Sequence, residues 1–162
     1  MSTAPREMAD RALAKLALVW AGVAIGIAFV ATPAKFLAPS LSLPVALEVG
    51  QRTFHVYNAV EVGLAVLGLG LSACSSSPRR RLAFLAAPAL VVAAQAAWLL
   101  PALDIRVATV QAGAVPGPSH LHVAYIVLEA AKILALLFIG LARTGSSTRR
   151  RSARLHPLLE RN

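Results

Sequence analysis

Four long apolar blocks, residues 13–31, 54–74, 82–103 and 121–142, constrain this chain more than any motif in it. Each is long enough, at about 1.5 Å of rise per residue, to cross a hydrocarbon layer about 30 Å thick as a helix. A backbone in lipid must satisfy its own polar groups, which leaves the helix as the natural spanning element for blocks of this length. The expected fold is therefore all-α, a four-helix transmembrane bundle. Residues 1–10 form a flexible lead, 11–143 the membrane domain and 144–162 a basic tail.

Charge placement orients the bundle. The net charge of +9 would suit a nucleic-acid ligand if the basic residues lined a soluble face, but they cluster at the ends of the apolar blocks. With both termini inside, twelve of them are cytoplasmic: Arg6, Arg11, Lys15, Arg79 to Arg81, Arg143, Arg149 to Arg151, Arg154 and Arg161. Only Lys35, Arg52 and Arg106 lie outside, and Lys132 falls within a span. The positive-inside rule selects this N-in, C-in arrangement, in a bacterial inner membrane, and the basic tail is expected to meet anionic inner-leaflet lipid rather than nucleic acid. The first block has a basic flank but no clean small-residue cleavage site before Lys35, so it reads as a retained span. The single Cys74 excludes an intramolecular disulfide.

Against 57% hydrophobic and 14% charged residues, the polar groups inside the spans stand out. In the fourth block His122, Tyr125, Glu129 and Lys132 fall within about 80° of one another at helical periodicity. In the second, Gln51, His55, Asn58 and Glu61 share a broader face, and Gln95 is the one strongly polar residue midway along the third. An ionisable group at mid-bilayer costs about 2.5–3.5 kcal/mol on insertion scales, so such residues face the bundle interior and find partners. Glu61, Glu129, Lys132, Asn58, Tyr125 and Gln95 are thus expected to form an intramembrane polar site, with His55, His122 and Gln51 toward the outer face. Two carboxylates against one ammonium leave a negative charge uncompensated, so one glutamate should hold a proton near neutrality.

The two striped spans echo each other. HVYNAVE from His55 and HVAYIVLE from His122 align with one insertion, and Pro33 and Pro101 precede those histidines by 22 and 21 residues. A parallel two-helix repeat would follow, its axis along the membrane normal. Gly22 and Gly26 have the G-x-x-x-G spacing that lets helix backbones approach, a spacing alanine-rich spans also produce as generic packing.

Three roles fit these residues. The polar site could move or sense a small ion or solute; the protein could instead be a non-catalytic assembly subunit or homo-oligomer in which a buried ion pair fixes helix register. Histidines at one depth, His55 and His122, could also ligate a haem or a metal ion, although no H-x-x-x-H pair or Cys/Met cluster accompanies them. No nucleophile triad, phosphate loop or zinc motif is present to support an enzyme.

The segments ATPAKFLAPSLSLPVALEVGQRTFHVYNAVE, WLLPALDIRVATVQAG and PSHLHVAYIVLEAAK resemble a group of small four-span bacterial membrane proteins. The likeness covers about residues 17–140 and is most specific at 33–36, 53–55, 101–106 and 119–132. In arrangement the chain is also similar to copper-resistance D-like and TMEM-type four-span proteins. The resemblance implies the topology and supplies no reaction, substrate or cofactor.

Overall fold

The computed structural model describes the backbone of residues 4–159 and the side chains of residues 4–142. Four helices account for nearly all of it: α1 (Ala4–Leu37), α2 (Leu43–Ala73) and α3 (Pro78–Gln111), with α4 (Leu121–Leu159) last. All four contain a stretch long and apolar enough to cross a membrane. Short connections make sequence neighbours antiparallel, and α1 and α3 each pack against both α2 and α4, closing a ring. The start of α1, the end of α4 and the α2–α3 turn lie at one end, and the other two connections at the opposite end.

Side chains are sorted in the reverse of a water-soluble bundle. Val19, Val66, Leu90, Val127 and Leu134 point outward and are exposed, whereas Asp10, Glu61, Glu129 and Lys132 are buried. That arrangement is stable where the surroundings are hydrocarbon, and the protein is a multi-pass membrane protein. Leu13, Ala17 and Trp20 of α1, Leu85 and Val92 of α3 and Leu136 and Ile139 of α4 make the main core.

The helices outrun the apolar blocks at most ends, because a hydropathy pattern marks the part in hydrocarbon while good helix formers carry the backbone further. Residues 1–10, expected as a flexible lead, are helical from Ala4, and Asp10 is 1% exposed. The longer helix brings Asp10 against the α2–α3 turn, where its carboxylate accepts from the Ser76 hydroxyl and lies 3.4 Å from Arg81 Nε. Beyond Ala142, α4 continues to Leu159; the charges expected of the basic tail lie outside the residues whose side chains are described.

Close packing uses other glycines than the G-x-x-x-G pair. A Cβ on Gly22 or Gly26 would meet nothing within 4 Å, whereas one on Gly68 would stand 2.7 Å from Leu85 and one on Gly140 2.5 Å from Leu18. These two positions let α2 approach α3 and α4 approach α1.

Prolines shape the end with the two longer connections. Pro33 follows a π-helical turn at Gly26–Ala31, and Pro101 follows one at Gln95–Leu99. A proline inside a helix offers no N–H and its ring presses on the preceding turn, and a widened turn relieves both problems. In α1 the Thr32 hydroxyl donates to the Ile27 carbonyl at 2.8 Å, supplying a further partner there. Pro33 and Pro101, Tyr57 and Tyr125, and Glu61 and Glu129 are each 68 positions apart, so the sequence echo extends to the backbone. In that register His122 corresponds to Phe54 rather than to His55. α3 ends in a Schellman cap: Gly113, at φ 78°, donates to Val110 O, and Ala114 to Thr109 O. At the start of α4, Ser119 Oγ accepts from the Leu121 N–H at 3.2 Å.

Substituting Asp10→Asn should lower stability by about 1–3 kcal/mol, the usual cost of disrupting a buried charged contact. Thermal unfolding in detergent reads this directly. A variant as stable as the parent would show that the Asp10 contact does not hold the terminal end together.

Candidate functional site

Midway along the bundle, every helix contributes to one polar cluster. α1 supplies Trp20, α2 Tyr57 and Glu61, the π turn of α3 Gln95, and α4 Glu129 and Lys132. Trp20, Glu61, Gln95 and Glu129 are 0% exposed and Lys132 1%. On α4, Glu129 and Lys132 share a face at i, i+3; on α2, Tyr57 and Glu61 do so at i, i+4.

Lys132 uses each of its three N–H donors. Its Nζ lies 2.5 Å from Glu61 Oε1, 2.9 Å from Glu129 Oε2 and 3.0 Å from Gln95 Oε1, and 5.4 Å from the centre of the Tyr57 ring. Gln95 also donates through Nε2 to Glu129 Oε2 at 2.9 Å, so its amide bridges the lysine and the carboxylate. Glu61 Oε1 further accepts from Trp20 Nε1 at 2.8 Å, while Glu61 Oε2 is buried with no hydrogen-bond partner.

The Tyr57 hydroxyl lies 2.8 Å from Glu61 Oε1 and 2.7 Å from Glu129 Oε1. A hydroxyl has one hydrogen to donate, so Tyr57 is shared between the two carboxyl groups and links Glu61 to Glu129.

Of the residues expected at this site, Glu61, Glu129, Lys132 and Gln95 come together. Asn58 lies beside them but reaches only the Val92 carbonyl, at 3.5 Å. Tyr125 is buried one turn along α4 from Glu129, its ring edge-on to Phe54 at 4.9 Å between centres. His55 is exposed and pairs with Asp104 at 2.7 Å, whereas His122 and Gln51 line a cavity. Among the described residues no three His, Cys, Asp or Glu side chains gather as a metal-binding group.

Trp20 and Tyr57 were not among the expected site residues. Each had a signal: an indole N–H in mid-span needs an acceptor, and a tyrosine four residues before a buried glutamate shares its face.

The cavity, about 610 Å³, opens at the end that carries the two longer connections and runs down to Glu129. Lys35, Gln51, Asp104, Arg106 and His122 give it polar groups; Phe29, Phe54, Leu100 and Ile126 are among its apolar walls. Glu129 borders it without exposed surface of its own. Toward the termini the cluster abuts the apolar core of Leu13, Ala17, Leu85 and Leu136.

Compared with protein-family models, curated proteins and solved structures, the chain gives no match.

Lys132→Met should cost about 3–5 kcal/mol, since it leaves the Glu61 carboxylate without its counter-ion. Adding Glu129→Gln should change the loss non-additively, with a coupling of about 0.5–3 kcal/mol in a thermal-unfolding double-mutant cycle. Strict additivity would mean that these side chains do not act as one cluster. Tyr57→Phe removes the hydroxyl that links the two glutamates, and should cost about 1–3 kcal/mol by the same assay. A neutral effect there would show that the link does not hold the cluster together.

Proposed function

We propose that this protein moves or senses a small ion or solute, using the proton shared by Glu129, Tyr57 and Glu61 as the coupled charge. One observation carries the reading: the cavity ends against Glu129, a buried carboxyl group that the Tyr57 hydroxyl links to Glu61. A solute arriving there meets a group whose protonation can respond to it, and Tyr57 connects that group to a second carboxylate with a spare, unpartnered oxygen. An ion pair serving only to fix helix register would need neither the cavity nor the relay.

In this reading the protein sits in a bacterial inner membrane with both termini in the cytoplasm, as the basic residues at span ends favour. The cavity then opens outward. The resemblance of residues 33–36 and 119–132 to four-span bacterial membrane proteins agrees with that placement, and both segments contribute to the cavity or the cluster.

Proteoliposomes containing a trapped pH-sensitive dye test the proposal. Under an imposed proton gradient and membrane potential, the wild-type protein should carry protons across faster than protein-free vesicles do. Glu129→Gln and Glu61→Gln should each reduce that rate about tenfold or more while reaching wild-type abundance in the membrane. Proton movement equal in all three proteins would leave the cluster a structural ion pair and reject the function.

A further inference from the structure

We infer that the cavity binds a small amphipathic organic anion, its carboxylate held by Lys35 and Arg106 and its apolar body directed toward Phe54 and Tyr125. The inference rests on the reading of this cavity as the place of solute entry, and adds the chemical class of the solute.

Lys35 lies in the final turn of α1 and reaches over Gly50 of α2. A Cβ on Gly50 would collide with Lys35 Nζ, so the missing side chain gives the ammonium its place in the cavity mouth. Among the described residues it has no hydrogen-bond acceptor and no carboxylate partner; the Phe36 ring, 5.0 Å away, is its one charge-stabilising neighbour. Arg106 spends one N–H on the Gly117 carbonyl at 2.7 Å, and a guanidinium has five. The acidic groups on the same cavity have partners of their own: His55 lies 2.7 Å from Asp104, and Lys132 2.9 Å from Glu129. The mouth is thus left with cationic donors in want of an acceptor.

The walls decide the rest of the ligand. Phe29, Leu47, Leu100, Val107 and Ile126 would gain nothing from a bare inorganic anion. A neutral hydrocarbon would leave the ammonium and guanidinium unanswered, and an organic cation would be repelled by both. A volume near 610 Å³ falls within the range of sites that enclose small organic ligands. An anionic headgroup on an apolar body is the chemistry common to a soluble carboxylate and to an anionic lipid; a volume near 610 Å³ suits the smaller, soluble molecule.

The full chain in nanodiscs of phosphatidylcholine can be titrated with 4-butylbenzoate, 4-butylbenzyl alcohol and 4-butylbenzylamine, binding being read from the shift in unfolding temperature. The carboxylate should bind about tenfold more tightly than the alcohol, the order expected of one charge-assisted hydrogen bond, and the amine more weakly than either. Lys35→Met should abolish the preference and Lys35→Arg preserve it. Equal affinity for the three probes, or an undiminished preference in Lys35→Met and in the Lys35→Met, Arg106→Met double variant, would overturn the inference. Nanodiscs containing phosphatidylglycerol at the same ionic strength separate the sources of the anion. Unchanged carboxylate affinity supports a soluble ligand, and a several-fold loss would give the cavity to lipid and reject the soluble one. Carboxylate binding without proton movement in vesicles would defeat the functional reading alone. Proton movement without carboxylate preference would defeat this inference alone.

Discussion

One lysine between two glutamates, out of reach of water, sets the terms for the whole bundle. A buried ammonium needs three acceptors and a buried carboxylate needs its charge answered, so each helix must deliver its polar group to the same depth. Gln95 of α3 binds both ions at once, and Trp20 of α1 ends on the oxygen that Lys132 also uses. Sliding any helix by one turn would move its group by about 5.4 Å and strand the others. Lipid supplies little drive to choose among apolar helix packings, so this polar register specifies the arrangement more sharply than the leucines and alanines around it.

The prolines act on the same site from a distance. Each π turn adds width just before Pro33 or Pro101, and the one in α3 contains Gln95. A widened turn changes the angle at which the side chains beyond it leave the helix, which is how a proline six residues on bears on the amide that bridges Lys132 and Glu129. The matching turn in α1 has Ile27 at the position of Gln95, and there α1 lines the cavity instead of entering the cluster. The two halves share backbone, proline, tyrosine and glutamate, and differ in what they add: a lysine follows Glu129, and no cation follows Glu61 within a turn. That asymmetry gives two otherwise equivalent carboxyl groups different surroundings.

Much of this was legible in the sequence because lipid imposes simple rules. Apolar block length marked four spans, and the cost of charge in hydrocarbon singled out Glu61, Glu129, Lys132 and Gln95. Helix limits were less legible, since the polar residues before Leu13 still favour helix and Asp10 finds its partners only in the folded turn at Ser76 and Arg81. The histidine alignment placed His55 with His122, but a shift of one position is a rotation of 100°, and His55 pairs with Asp104 while His122 lines the cavity. Trp20 and Tyr57 were hidden because an aromatic residue in an apolar span reads as packing until an acceptor is found beside it. The cavity depends on how four chain ends diverge, and no local pattern encodes that.

Access to the cluster is unequal from its two sides, and this limits how anything can cross. Glu129 lines the inner end of the cavity beside Tyr125 and Phe54. Toward the termini the cluster meets a core where Leu13, Leu85 and Leu136 are each at most 1% exposed, and Glu61 Oε2 has no hydrogen-bond partner among the described residues. Passage to the terminal end therefore requires helices to part, not side chains to turn. Beyond that apolar seal, the contacts between Asp10 of α1, Ser76 and Arg81 span the closed end. The ion cluster itself draws its charges from α2 and α4, with α1 attached to it through the Trp20 indole. An outward tilt of the terminal half of α1 would thus open the closed side at the cost of polar contacts at Trp20 and Asp10, while Lys132 kept both of its carboxylates.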